Sequence, residues 1–279
     1  MRIALTRRRA ARGYVLITVL WVGLALLLSV AAFLASSRTE ALAVRAEVNA
    51  TRAVELARSG LNVALADLGR IDPDQPITPR DGTEVTLQMA EGTVTYSIQD
   101  EAGKIDVLAA PPELLTPALA SIGENAGIDA FDAATIAQAL EGFLRTPEGG
   151  TASVYDALTA AGLPRASALV ASRYLTTLNF TAQVNPATAP RLVLAAIPGL
   201  GPSDVEDILL RRSTGQGMPR LGSAAAWLVE LASPVYTIET EATLTTGGTA
   251  RLVAQVAQRG LAFRGGLMRY DILSVRIVR

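Results

Sequence analysis

The chain has no cysteine and no histidine, and Lys104 is its only lysine. Without cysteine, disulfides, thiolate nucleophiles and thiolate metal ligands are excluded. Without histidine, the chain cannot build a Ser-His-Asp triad or a histidine-ligated zinc or iron site. The net charge of −1 provides no overall attraction for nucleic acid. These absences argue against an enzyme and against a protein that binds nucleic acid through its overall charge.

Charged residues are also absent from Tyr14 to Ser37. This run is longer than the roughly 20 residues that a helix needs to cross a bilayer. It is also too long for a secretory signal peptide, whose apolar stretch has about 7–15 residues. We therefore expect a transmembrane helix at 14–37. The arginines before it are Arg2, Arg7, Arg8, Arg9 and Arg12, with no acid among them. This asymmetry predicts a cytoplasmic basic leader at 1–13 and a domain on the opposite side of the membrane.

The segment at 38–69 contains no proline, and its apolar residues recur mostly every three or four positions. These residues are Val44, Val48, Val54, Ala57, Leu61, Leu65 and Leu68. Their spacing is typical of one face of a helix. The anchor and this amphipathic segment together predict one helix of about 55 residues, about 80 Å long at roughly 1.5 Å per residue. Such a helix would leave the membrane and pack one face on a globular domain.

Apolar and polar residues alternate at 80–108 and again at 234–279, which predicts β-strands. The first part predicts a hairpin that turns at Ala90–Gly92. The second predicts a hairpin that turns at Thr246–Thr249, and a last strand at Ile272–Val278. The apolar positions are Val85, Leu87, Met89, Val94, Tyr96, Ile98, Tyr236, Ile238, Ala242, Leu244, Leu252, Ala254 and Val256.

Between these parts, residues 111–232 have a helical period, with glycine and proline as separators. The predicted helices are Glu113–Ile122, Ala133–Leu144, Ser153–Ala161, Ala166–Leu175 and Ser223–Leu231. Asp132, Ser153 and Ser223 are candidate N-caps. The expected fold class is therefore α+β. A long N-terminal helix, first transmembrane and then amphipathic, packs on an antiparallel sheet that a large all-α insertion interrupts.

The insertion contains the stretch Ile-Pro-Gly-Leu-Gly-Pro, with Pro198, Gly199 and Gly201, before a predicted helix at Asp204–Arg212. It resembles a helix-hairpin-helix turn, whose glycine amides bind phosphate in nucleic-acid-binding members. The alternative is a tight turn in which Pro202 starts the second helix. The acids in the first turn of that helix would repel a phosphate and therefore favour the alternative. The two arginines at the end of the helix compensate only weakly for this repulsion. These acids are Asp204, Glu206 and Asp207.

The junction Arg12-Gly13-Tyr14-Val15-Leu16-Ile17-Thr18 resembles the leader of type IV prepilins and their secretion relatives. Most such subunits carry a glutamate where this chain has Thr18. The segment Asp100–Ile105 resembles one that follows the first strands of the K-type minor pseudopilins of type II secretion systems. The same family has an "N-x-N-T-A" signature, and Ala187 replaces its second asparagine here. The residues that match or continue this signature are Asn185, Thr188, Ala189 and Pro190.

This resemblance implies cleavage by prepilin peptidase between Gly13 and Tyr14, with N-methylation of Tyr14 left open. The family's acid is thought to meet the N-terminal ammonium of the subunit ahead, so Thr18 implies a place at the tip. There the chain would initiate and cap a pseudopilus together with other minor pseudopilins. The resemblance also implies contact with the inner-membrane secretion platform, a periplasmic domain on a bacterial inner-membrane anchor, and no catalysis.

Members of this family can carry calcium in the helical insertion. The matching stretch here keeps only Glu141 and Glu148 as acids, with Arg145 between them. Calcium needs roughly six to eight oxygen ligands, so we expect no metal and no cofactor. Two other functions stay open. One is a competence-type, membrane-anchored protein that binds DNA through the hairpin. The other is a membrane-anchored enzyme, although the sequence contains no recognisable set of catalytic residues.

Overall fold

The computed structural model describes residues 7–70, 78–125, 133–149, 152–219, 221–259 and 269–278, with side chains described from residue 14. Its first element is helix α1 at Arg7–Leu68, which has 62 residues. The helix passes from the leader through the apolar run into the amphipathic segment without a break, because no proline interrupts it. The long N-terminal helix predicted from the sequence is confirmed, and it already begins at Arg7, seven residues before the apolar run.

Five antiparallel strands form one sheet in the order β1-β2-β5-β6-β7. Their bounds are β1 at Asp81–Met89, β2 at Gly92–Asp100, β5 at Val235–Leu244, β6 at Thr249–Arg259 and β7 at Arg269–Val278. Strands β2 and β5 are neighbours although the whole insertion separates them along the chain. The antiparallel sheet predicted from two separate parts of the sequence is therefore confirmed.

Helix α1 packs across β2, β5 and β6 with its second half. The buried residues of this helix are Ala53, Leu56, Ala57, Leu61, Ala64 and Leu68. They meet the buried positions of the strands, such as Val94, Tyr96 and Ile98 in β2. At the closest approach, a Cβ on Gly60 would lie 2.3 Å from Val94 Cγ1. The helix can approach the sheet this closely because residue 60 has no side chain.

The insertion contains six α-helices within the described residues. They are α2 at Pro112–Asn125, α3 at Ala133–Leu144, α4 at Val154–Ala160, α5 at Arg165–Ala171, α6 at Arg191–Ala196 and α7 at Pro202–Thr214. Two short strands, β3 at Ile105–Asp106 and β4 at Leu175–Thr176, pair in parallel. The buried apolar residues of the insertion form one cluster, separate from the two clusters between α1 and the sheet. The insertion is thus a hydrophobic unit of its own.

The helix predicted at Ala166–Leu175 is too long. Helix α5 ends at Ala171, and Leu175 lies in β4, where it pairs with Ile105. The backbone N–H of Ile105 donates to the Tyr174 carbonyl at 3.1 Å. Periodicity cannot reveal this pairing, because the partner strand is distant in the sequence.

The helix predicted at Ser223–Leu231 is wrong. The chain forms a 3₁₀-helix at Gly222–Trp227 and then becomes extended, and Leu221 occupies the N-cap position predicted for Ser223. Leu228 bridges to Val184, so a tertiary contact prevails over local helix propensity. The N-cap prediction for Ser153 is confirmed, because its hydroxyl accepts the Asp156 N–H at 3.3 Å. Asp132 lies outside the described residues.

Candidate functional site

The first half of α1 is the most exposed apolar surface among the described residues. The helix Tyr14–Leu68 is long and apolar enough to cross a membrane, with a mean hydropathy of 2.6 in its most apolar window, which is 0% buried. Trp21 and Phe33, for example, are exposed. Within the described residues, the most apolar part of this half is not covered by the domain. It is therefore available to lipid or to other apolar helices.

Thr18 lies in this exposed half. Its hydroxyl is 2.9 Å from the Val15 carbonyl oxygen and 3.2 Å from that of Tyr14. The hydroxyl thus donates within its own helix and needs no external partner, whereas a carboxylate at this position would need a positive one. Gly13 and Tyr14 lie inside the same continuous helix.

The helix joins the domain at Asn49. The side-chain amide of Asn49 donates to the Thr246 carbonyl at 3.2 Å, and Gly248 in the turn between β5 and β6 packs against its backbone. Before this point, Leu42, Val44 and Val48 are exposed. The turn therefore marks where α1 leaves the domain and becomes free for other contacts.

The two sequence segments that resemble pseudopilin motifs meet at the junction between sheet and insertion. The Asn185 N–H donates to the Ala102 carbonyl at 2.7 Å, and Gln99 Nε2 donates to the Thr188 carbonyl at 2.9 Å. A Cβ on Gly103 would lie 2.5 Å from that same carbonyl oxygen. Both segments are thus fixed by one structural contact, and Pro190, which follows them, is the N-cap residue of α6.

Lys104 is buried at this junction. Its Nζ lies 2.6 Å from Glu101 Oε1, and the two side chains are 3% and 1% exposed. The Thr237 hydroxyl of β5 donates to the same carboxylate oxygen at 2.5 Å. The only lysine of the chain therefore belongs to a buried ion pair at the start of the insertion, which the Thr237 hydroxyl joins to the sheet.

Two further acids at the junction accept backbone N–H groups. Asp106 Oδ1 accepts from Leu108 at 2.8 Å, and Oδ2 accepts from Asn179 and Phe180 at 2.9 and 2.7 Å. Burial raises the pKa of Asp106, and these N–H groups oppose the rise. Asp100 is likewise buried, and its Oδ1 accepts the N–H of Ser233 at 3.1 Å. Sequence reasoning missed both acids as structural residues, although Asp100 begins the segment that resembles the pseudopilin motif.

The hairpin turn at Pro198–Gly201 faces its own chain. Gly199 has a φ of +88° and packs against Ser223, whose Oγ would lie 2.8 Å from an added Cβ. The Gly201 N–H donates to Asp204 Oδ2 at 2.8 Å. Pro202 is the first residue of α7, as the tight-turn alternative predicts. The Asp204 carboxylate thus accepts the hydrogen bond of the Gly201 N–H group, which in a phosphate-binding hairpin would be donated to a phosphate.

The two arginines of α7 are also used internally. Arg211 Nε lies 2.9 Å from Asp207 Oδ2. Arg212 donates to the carbonyls of Ala189, at 2.8 Å, and Pro186, and its Nη1 lies 3.4 Å from Asp81 Oδ2 in β1. Burial lowers the pKa of Arg212, and Asp81 opposes this effect. Neither arginine is directed at a ligand, so the DNA-binding alternative is not supported.

The remaining contacts of the insertion cross the sheet face opposite α1. Arg173, which follows α5, pairs with Glu239 of β5 at 3.3 Å. The guanidinium of Arg276 in β7 lies 4.3 Å from the ring centroid of Tyr155 in α4. Beside these polar and cation–π contacts, this face of the sheet carries small open clefts of about 200 Å³.

The acids considered for calcium are not assembled into a cluster. Glu141 pairs with Arg145 one helical turn later. Within the described residues, the fold brings together no group of three or more acids that could hold a metal ion. The candidate functional surface is therefore the exposed half of α1 with the domain that it carries.

No protein-family model matches the chain, and no curated protein matches it. Among solved structures, it is similar to a chain of the GspK–GspI–GspJ complex of the type II secretion system from enterotoxigenic Escherichia coli. The similarity covers 87% of this chain and 99% of that chain, at 14% identity and a TM-score of 0.45. At these values the similarity assigns no role to any residue.

Proposed function

We propose that the chain is a K-type minor pseudopilin of a type II secretion system. It would be anchored in a bacterial inner membrane with its N-terminus in the cytoplasm and its domain in the periplasm. The observation that supports this most is the division of one helix, α1, into two halves. The first half is apolar and exposed, and the second is packed on a sheet. Such a helix can join an assembly through one half while the other carries a domain.

A place at the tip fits two features of the chain. Thr18 satisfies its hydroxyl within α1 and carries no charge for a subunit ahead to neutralise. The insertion between β2 and β5 adds bulk that suits the end of a fibre and would clash in its shaft. The chain would initiate and cap the pseudopilus there with other minor pseudopilins, supported by the inner-membrane platform.

Processing by prepilin peptidase belongs to the same proposal. Cleavage after Gly13 would remove the basic leader and leave Tyr14 with a free or methylated amino group. The exposed start of the helix would then join the neighbouring subunits. No step of this function requires the chain to be a catalyst, a metal carrier or a DNA-binding protein.

Intact-mass spectrometry of the protein purified from membranes tests this proposal. We expect a chain that starts at Tyr14, and a Gly13→Val variant that keeps its leader serves as the uncleaved control. Recovery of the wild-type chain with an intact Met1 would contradict the proposal.

A second test addresses the place at the tip. Replacing residues 101–234 with a short linker would join β2 directly to β5, which are neighbours in the sheet. We expect this variant to reach the membrane but to lose pseudopilus initiation and secretion. Normal secretion by the shortened chain would refute the role assigned to the insertion.

A further inference from the structure

The insertion is joined to the sheet by two chain crossings. The chain leaves the sheet after Asp100, the last residue of β2, and returns at Val235, the first residue of β5. Asp100 lies opposite Tyr236 in the register of these neighbouring strands. The two crossings are therefore side by side, and the groups that join them determine how firmly the sheet holds the insertion.

One carboxyl oxygen joins both crossings. Asp100 Oδ1 accepts the N–H of Ala102 in the outgoing crossing at 2.9 Å and that of Ser233 in the returning crossing at 3.1 Å. The residue is 0% exposed, and its Oδ2 has no hydrogen-bond partner within the part of the chain that the structure describes. Buried carboxylates usually satisfy both oxygens. A proton on Oδ2 would remove the charge and leave both bonds to Oδ1 in place.

The neighbouring charges do not compensate the carboxylate fully. The pKa of Asp100 is raised from 3.8 to about 6 in the fold, and burial is the largest cause. The N–H groups of Ala102 and Ser233 oppose the rise, Glu101 adds to it, and Arg80 before β1 opposes it. Lys104, the cation of the outgoing crossing, is held by Glu101 at 2.6 Å. Tyr236 of β5 accepts a hydrogen bond from Arg80 at 3.2 Å.

We propose that Asp100 is a proton-operated clasp, whose neutral form holds the two crossings together and whose ionised form loosens them so that the insertion moves relative to the sheet. The ionised form buries a charge with one oxygen unpaired, and opening of the crossings to water relieves this cost. The clasp is thus a conformational device, independent of how the chain assembles with other subunits.

The direction of the pH effect follows from the sign of the shift. The folded junction binds the proton of Asp100 more tightly than the unfolded chain does, because the pKa is raised in the fold. Stability of the junction is therefore gained as the pH falls through 6 and lost as it rises through 6. The window of strongest change lies between the unfolded and folded pKa values, at about pH 4–6.

Amide hydrogen exchange of Ala102 and Ser233 in the full chain, held in detergent micelles, tests the clasp. After correction for intrinsic exchange rates, we expect protection to rise about tenfold from pH 7 to pH 5. In Asp100→Asn, which keeps the acceptor oxygen, protection should stay near its acid value across this range. Glu91→Gln, an exposed change in the turn between β1 and β2, should behave as the wild type does.

Two results would overturn the proposal. Equal pH dependence in wild type and Asp100→Asn would assign the effect to another group, such as Asp106, and protection that falls on acidification would reverse its sign. If Asp100→Asn does not fold, carbon-13 NMR titration of the aspartate carboxyls in the wild type decides instead. An Asp100 midpoint below about pH 5 would then refute the clasp.

Discussion

The backbone N–H of Gly201 donates a hydrogen bond of 2.8 Å to the carboxylate of Asp204. We predict that Asp204→Ala destabilises the chain by about 0.5–2 kcal/mol, as other lost helix caps do, without creating DNA binding. Urea denaturation measures the first effect. Fluorescence anisotropy with duplex DNA at low salt measures the second, and salt-dependent binding by either protein would revive the DNA-binding hypothesis.

Arg212 connects α7, the carbonyls of the 185–190 segment and the start of β1. Arg212→Met is expected to destabilise the chain by about 2–3 kcal/mol, since it leaves the carbonyl of Ala189 and the carboxylate of Asp81 without their donor. Arg211→Met is the matched control, because its pair with Asp207 is largely solvated and should contribute no more than about 1 kcal/mol. Equal effects of the two variants in chemical denaturation would contradict the role of Arg212 as a connector.

The close contact of α1 with β2 depends on Gly60. Gly60→Ala should cost about 1–3 kcal/mol, because the new methyl group would lie 2.3 Å from Val94 Cγ1. The control is Gly142→Ala in α3, where an added Cβ meets nothing within 4 Å. That change should stabilise the helix by about 0.5–1 kcal/mol.

A second variant distinguishes steric conflict from other causes. Val94→Ala in the background of Gly60→Ala removes the conflicting atom and should recover part of the lost stability. No recovery in denaturation experiments would show that the cost of Gly60→Ala has another origin than this contact.

The buried ion pair between Lys104 and Glu101 should be costly to break from one side. Lys104→Met leaves a buried carboxylate without its cation, for which we expect a loss of about 3–5 kcal/mol. The double variant Lys104→Met, Glu101→Leu removes both charges and should be markedly more stable than the single one. Thermal denaturation of the single and double variants makes the comparison, and an additive loss would argue against a paired interaction.

Position 18 tests the proposed place of the chain in an assembly. Thr18→Glu puts a carboxylate into the apolar half of α1 and should reduce secretion, because a chain at the tip has no subunit ahead to supply a positive partner. Thr18→Val removes only a hydroxyl that is satisfied within the helix, so it should secrete normally. Secretion assays on both variants provide the comparison, and full activity of Thr18→Glu would argue against a tip subunit.

The sequence predicted the elements that depend on local pattern. The absence of charge from Tyr14 to Ser37 and the spacing of Ala57, Leu61 and Leu68 led to the long helix, since such patterns report which face meets an apolar environment. Alternation predicted the strands on both sides of the insertion. The same reasoning failed at Leu175 and Leu228, which pair with residues distant in the sequence.

The sequence by itself determined the long apolar N-terminal helix, the α+β order, and the absence of cysteine and histidine, which excludes thiolate and histidine chemistry. Only the tertiary structure decided that Lys104 is buried, that Arg212 is directed at backbone carbonyls, and that Asp100 joins two crossings. The physical reason is that a helix or strand face follows from nearest neighbours along the chain. The partner of a charged side chain depends instead on which distant segments the fold brings within hydrogen-bond distance.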